Sequence, residues 1–297
     1  MVLWRNLCLS ALLAACFMGA APAGASEIAT AVDVDPSARL TSAGAVRPVI
    51  TGNRLSQGDR VETAGSGQVQ VRFDDFTRMV VGPNSSLEID QVLMQSADTA
   101  SRFAVSTVRG SFRFLSGKSS KNAYQIRTPT ATLGVRGTTF DCWVDQLGQT
   151  FCAILWGRVR FCGLQGGSEV NCRDVGGRCS IVFADRNGTV QTPGSDEQAG
   201  EIVSTGFPYL FSQQSLLRSF RTRTNACSRY TRVFEQRAIE EGSEEGAAGD
   251  PVTAPDTSTP PTDRPGGKNA GPVIEKIIDK IKDEEEGEGE CDPEFGC

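Results

Sequence analysis

Between about Val46 and Val190 the chain alternates apolar and polar positions with a period of two, interrupted by turn residues. In residues 67–73, Val69, Val71 and Phe73 share one face while Gln68, Gln70 and Arg72 share the other, the pattern of a half-buried strand. The same alternation predicts strands at residues 79–81, 87–89, 103–105, 112–114 and 124–128. Between them lie Gly82-Pro83-Asn84-Ser85, residues 98–101, Gly110 and residues 116–122, all rich in turn formers. Many short strands with regular turns predict a mainly β fold, either a single all-β sandwich or a solenoid-like roll.

Past Thr192 the period changes. Ser212 is placed to cap a helix carrying Leu216, Leu217 and Phe220, and a second, weaker helical pattern runs over residues 225–240. Arg218, Arg221, Arg223, Arg229, Arg232 and Arg237 crowd this stretch, which reads first as a solvated basic face and second as a docking surface for an acidic partner or for the chain's own tail. Residues 240–297 hold 17 acidic and 5 basic side chains, so they carry −12 while the rest of the chain carries +6. Five prolines among Gly, Ser, Thr and Asp leave residues 241–271 too little apolar surface to offset their ordering entropy, which predicts a disordered linker. After Pro272, Val273, Ile274, Ile277, Ile278 and Ile281 recur at helical spacing and predict a short amphipathic helix within an acidic, cysteine-containing end, residues 272–297. The expected organisation is therefore a β domain over 46–192, a helical Arg-rich extension over 193–240, the linker and the terminal helix.

At the other end, one positive charge precedes an uncharged apolar run from Leu7 to Ala21, closed by Ala23-Gly24-Ala25. That is a secretory signal covering residues 1–25, too short for a bilayer span of about 20 residues, and it places the mature chain outside the cytoplasm, starting at Ser26. Leu13-Ala14-Ala15-Cys16 supports a second reading, lipidation at Cys16 and an anchor in the envelope.

Export gives the cysteines their meaning. Eight remain after residue 25, an even number in an oxidising compartment, and they predict disulfides. Strand parity pairs some of them. With 145–149 as a five-residue hairpin loop, Cys142 falls opposite Cys152 and Phe140 opposite Ile154, all on the apolar face. Gly157-Arg158 then reads as a two-residue turn that sets Trp156 against Val159 and Ile154 against Phe161. Cys162 points to the other face, with Cys172, Cys179 or Cys227 as its partner; three connectivities remain for these four. Cys291 and Cys297 enclose five residues and close a local loop.

The chain contains no histidine, which removes the commonest general base, every Ser-His-Asp or Cys-His arrangement and the commonest transition-metal ligand. No C-x-x-C pair supplies zinc spacing either. Asp74-Asp75 is the one suggestive carboxylate pair, and neighbours on a strand point to opposite faces, so a solvated turn is its expected role. The sequence thus argues against an enzyme and for no cofactor and no metal.

Residues 123–140, Ala-Tyr-Gln-Ile-Arg-Thr-Pro-Thr-Ala-Thr-Leu-Gly-Val-Arg-Gly-Thr-Thr-Phe, resemble the central signature of the FecR domain, a strand ending in Thr-Pro followed by Val-Arg-Gly-Thr-x-Phe. Residues 73–82 resemble the family's Phe-x-Asp-Gly-Thr hairpin, with Phe76 standing where the family usually has glycine, and residues 155–161 its closing Gly-x-Val turn. In physical terms Thr128-Pro129 ends a strand, Gly134 and Gly137 permit bends or bulges, and Thr138 and Phe140 restart a strand, so the motif mainly specifies fold; a ligand contact by Arg136 is the alternative.

The resemblance implies a β-rich periplasmic domain known from regulators of iron-uptake signalling, which carry a cytoplasmic anti-sigma segment and a spanning helix ahead of it. This sequence has neither pattern ahead of its β region. Two functions follow as expectations. The first is a periplasmic sensory or adaptor protein that binds a protein partner in the periplasm or membrane, with Arg218, Arg221 and Arg223 as candidate contacts. The second is a disulfide-braced structural envelope protein without signalling output. Nucleic acid is not an expected partner, because the acidic tail repels phosphate, and no small-molecule substrate is implied.

Overall fold

The computed structural model describes residues 26–230. Its first half comprises β1 (Glu27–Asp35), β2 (Ala38–Ser42), β3 (Ala45–Val49), β4 (Arg54–Ser56), β5 (Arg60–Thr63), β6 (Gln68–Phe73), β7 (Arg78–Val81) and β8 (Ser86–Met94). A long central strand follows, β9 (Ala100–Leu115). The second half comprises β10 (Tyr124–Arg127), β11 (Ala131–Val135), β12 (Thr139–Val144), β13 (Thr150–Trp156), β14 (Arg158–Gln165), β15 (Ser168–Gly176), β16 (Ser180–Ala184) and β17 (Val190–Gln191).

These strands make two layers with one strand in common. Sheet A runs β4-β1-β6-β7-β9-β12-β13-β16-β17. Sheet B runs β3-β2-β5-β8-β9-β10-β11-β14-β15. Every pairing is antiparallel except β9 with β10. In both sheets β1–β8 lie on one side of β9 and β10–β17 on the other. The fold is mainly β, two sheets closing one core that is filled from both inner faces.

Period-two alternation builds that core. Val69, Val71 and Phe73 of β6, Met79 and Val81 of β7, and Phe140 and Cys142 of β12 face Leu40, Val61, Leu87, Ile126, Leu133 and Phe161 of sheet B. Aromatic rings meet across the layers, Phe73 with Phe103 edge-on at 4.7 Å and Phe114 with Tyr124 at 5.7 Å, and within sheet A Phe114 stacks on Phe140 at 5.1 Å. Such pairs add about 0.5–1.5 kcal/mol each beyond the area they bury.

Several expectations are corrected. Residues 103–105 and 112–114 belong to one 16-residue strand, β9. Gly110 is its corner: residues up to Arg109 pair in sheet B, residues from Gly110 pair in sheet A, and Gly110 turns with φ +81°. A Cβ there would lie 2.2 Å from Ser85 Oγ, so glycine is required by both conformation and space. Strands also begin earlier than Val46, because β1 and β2 complete the two layers. Gly157 does not turn a hairpin: β13 pairs in sheet A and β14 in sheet B, so the chain crosses between layers there, and Trp156 is 65% exposed instead of facing Val159.

The outer face of sheet A carries a third layer, α1 (Asp196–Gly206) and α2 (Pro208–Phe211) followed by two 3₁₀ turns, Arg218–Phe220 and Asn225–Cys227. Ser195 caps α1 by accepting from Gln198 N. The expected helix beginning at Ser212 is not formed; Ser212 ends α2, and only the short 3₁₀ turn carries Phe220. The second expected helix over 225–240 lies mostly outside the described residues; Ser228 to Tyr230 are helical. Ala199, Ile202, Val203, Phe207 and Leu210 pack on Phe151, Ala153, Leu155, Ile181 and Phe183. Gly206 permits this approach, since a Cβ would lie 2.4 Å from the Trp143 ring. Among the described residues no helix is long and apolar enough to cross a membrane.

Candidate functional site

The signature residues divide between the core and the surface. Thr128 and Thr130 both hydrogen-bond the Thr150 hydroxyl, at 2.7 and 2.8 Å, and Thr128 Oγ1 accepts from Ala131 N at 2.9 Å, which pins the turn through Pro129. Thr138 is fully buried: its hydroxyl donates to Arg158 O at 2.7 Å, its N–H donates to Ser116 Oγ at 3.0 Å, and its carbonyl accepts from Ser116 N at 3.1 Å. Gly137 takes φ +65°. Phe140 is buried in the core. Arg136 is exposed, and its backbone N–H donates to Arg158 O at 3.3 Å. Gly134 behaves differently from its neighbour. Its φ is ordinary, and a Cβ would make only van der Waals contact with Arg160 at 3.7 Å, so neither bend nor packing explains it.

The Asp74-Asp75 turn is not solvated as expected. Asp75 is fully buried and accepts from Thr77 N, Thr77 Oγ1, Ser119 Oγ and Tyr124 OH at 2.6–3.0 Å, tying the β6–β7 hairpin to the loop before β10. Burial pushes the Tyr124 phenol up, so it stays a donor. Asp74 takes two hydrogen bonds from Arg54, both 2.9 Å, and this contact raises the Arg54 guanidinium further. Phe76 adopts φ +66°, the left-handed conformation that favours glycine, and its half-exposed ring lies under Lys118 Nζ at 4.3 Å.

The third layer is held by a buried ion pair. Arg113 and Asp141 join through Nε–Oδ1 at 2.6 Å and Nη2–Oδ2 at 2.7 Å. The remaining Arg113 protons reach Gln213 Oε1 at 2.6 Å and Tyr209 O at 3.1 Å, so one guanidinium gathers the sheet and the segment after α2. Gln70 Oε1 accepts from Leu217 N at 2.9 Å, and Arg78 donates to Ser219 O. Burial lowers the Arg78 pKa and raises that of Tyr209.

On this clamped segment the three candidate arginines differ. Arg221 is spent on its own backbone, donating to Leu216 O at 2.8 Å and Gln214 O at 3.0 Å. Arg218 and Arg223 are exposed, as are Leu217 and Phe211 of the same segment, the last two at 43% each. Sequence reading missed Arg113 and Asp141, whose period-two positions, alternating with Phe112, Phe114, Phe140 and Cys142, mark the outer face of sheet A but not what covers it.

Three disulfides occur among the described residues: Cys142–Cys152 in the core, Cys162–Cys172 between β14 and β15, and Cys179–Cys227, which ties the third layer to sheet A. Cys142 lies directly opposite Cys152, and Phe140 opposite Ile154. Cys291 and Cys297 lie outside the described residues. Cys162, Glu169 and Cys172 are close enough to share a metal ion, but the two sulfurs are bonded to each other, so no thiolate is offered.

No curated protein matches the chain. Among solved structures, a cell surface anchoring domain is 33% identical over 21% of this chain and 84% of its own, with a TM-score of 0.21. Two crystal structures of candidate anti-sigma factors from Parabacteroides distasonis are each 13% identical over 48% of this chain, with TM-scores of 0.36 and 0.35. The chain spans 63% and 64% of those two. The family described as FecR protein matches residues 59–160, the segment from the start of β5 through the signature to β14. Residues 59–160 therefore carry a match to the FecR domain, and the signature residues 123–140 lie inside it.

Proposed function

We propose that this protein works outside the cytoplasm as a sensory or adaptor protein that binds another protein, and that it performs no chemistry of its own. The observation that carries this reading is the clamped Arg-rich segment. Arg113, Gln70 and the Cys179–Cys227 disulfide hold the backbone from Tyr209 to Cys227 against sheet A, and the same backbone carries Arg218, Arg223 and Leu217 outward. Long charged side chains on a fixed backbone lose less freedom on binding than they would on a loose tail, and arginine is enriched where interfaces concentrate their energy. Their charge selects an acidic surface on the partner. The FecR match over residues 59–160 and the disulfides agree with a signalling role in an oxidising compartment.

A crosslinked pull-down from the envelope fraction tests it, with the native chain beside an Arg218→Glu/Arg223→Glu variant. One membrane signalling protein recovered by the native chain and lost with the variant is the expected result. Bulk envelope material recovered equally by both would favour the structural reading instead.

A further inference from the structure

On the opposite side of the molecule, no described residue forms a further layer over the outer face of sheet B, and it holds an open groove of about 420 Å³. Gly134 lines it, with Thr132, Gln125, Arg102, Arg160 and Glu169 around it. Gly134 pairs with Gln125 on one side and Arg160 on the other, and Gln125 pairs with Ala104, so small residues alternate with long ones across four strands. Since nothing in the fold demands glycine at Gly134, the missing side chain acts on the outside: it keeps the groove open.

The charges in the groove are unbalanced. Arg102 and Arg160 are exposed, and neither has an ion-pair partner among the described residues. Glu169 is engaged by the Thr132 hydroxyl at 2.7 Å. The groove therefore suits an anionic, narrow occupant.

We infer that its occupant is the chain's own acidic segment, residues 283–290, Asp-Glu-Glu-Glu-Gly-Glu-Gly-Glu. Three features agree. The last 58 residues carry −12 against +6 on the rest, so the segment and the face attract. Glu286, Glu288 and Glu290 alternate with Gly287 and Gly289; in extended form all three carboxylates point one way and the other side is bare, a shape that fits a groove floored by Gly134. The spacing also matches: Arg102 and Arg160 stand on strands separated by β10 and β11, about 14 Å at the usual strand spacing, and Glu286 and Glu290 lie about 13 Å apart in an extended chain. Reach is no obstacle. About 50 residues separate Tyr230 from Asp283, and even a random coil of that length covers about 40 Å, more than the thickness of two packed sheets. Tethering also raises the local concentration of the segment to the millimolar range, about what a few exposed ion pairs need. This inference stands on a different face from the proposed partner surface and does not depend on it.

Arginine modification in the full-length protein reads the contact directly. Phenylglyoxal labelling at low ionic strength, followed by peptide mass spectrometry, compares the native chain with a Glu286→Gln/Glu288→Gln/Glu290→Gln variant, whose changes lie outside the described residues. Arg102 and Arg160 are expected to react about threefold slower or more in the native chain, with the difference lost in high salt. Equal rates in the two proteins overturn the inference. So does protection that survives neutralisation, which means another occupant, or protection of Arg218 and Arg223 in place of Arg102 and Arg160, which puts the tail on the other face. Gly134→Leu, which fills the floor, is expected to bring both arginines to the rates of the triple variant, and slow labelling in a folded Gly134→Leu protein also counts against it.

Discussion

Arg113 and Asp141 sit directly opposite each other on neighbouring strands, both turned away from the core, and both are out of contact with water. Each alone would be a buried, unpaired charge. Asp141→Asn or Arg113→Met is therefore expected to cost about 3–5 kcal/mol in urea unfolding, while the double change to Met and Leu recovers most of that. The double variant still loses the bonds from Arg113 to Gln213 and Tyr209, so limited proteolysis of the segment after α2 should quicken even where global stability returns.

The disulfides should rank by the loop they close. Cys179–Cys227 spans 48 residues, whereas Cys142–Cys152 and Cys162–Cys172 each span 10. On the chain-entropy account the long loop contributes about 4 kcal/mol and each short one about 2.7 kcal/mol. Cys179→Ser/Cys227→Ser should lower the unfolding midpoint more than the equivalent change at Cys162 and Cys172.

Asp75 is the hub of four hydrogen bonds with no water to replace it. Asp75→Ala is expected to cost about 3 kcal/mol by stranding Thr77, Ser119 and Tyr124 donors. Near-ultraviolet circular dichroism should report the loosened Tyr124 ring.

Burial raises the Asp145 carboxyl above its ordinary value, against the hydrogen bonds it accepts from Gln149 and Leu147. A raised pKa in the fold means that the protonated form is favoured there. Its stabilisation is complete below the ordinary carboxylate range, about pH 3.9, and is withdrawn as pH rises through the raised value. In Asp145→Asn that withdrawal should disappear from the difference between stability profiles measured from pH 3 to 7.

Alternation exposed most strands because each sheet has one face in the sandwich core, as Val69, Val71 and Phe73 do. It failed where the chain changes layer. Gly110 looked like a loop because glycine usually ends a strand, yet here it bends one strand from sheet B into sheet A. Gly157 looked like a hairpin turn because Trp156 and Val159 are both apolar, but parity along one strand says nothing about which sheet the next joins. Helix α1 was hidden by Gly200, Ser204, Thr205 and Gly206, weak helix formers, of which Gly206 is required by its approach to the Trp143 ring. The buried role of Asp75 depends on Ser119 and Tyr124, more than 40 residues away, and no local pattern carries that. The signature residues were legible as a motif; the open floor at Gly134 needed the neighbouring strands.

The shared strand β9 has a consequence for the order in which the molecule can be completed. A chain that ends before Ala100 presents two free edges at once, β7 in one layer and β8 in the other, and both await the same 16 residues. Unpaired edges are templates for a second molecule. Nascent or truncated chains that stop short of Leu115 should therefore cross-associate in pairs of layers, and the arrival of β9 closes both of these edges in a single step and passes the open edge to its own far side, where β10 and β12 later pair.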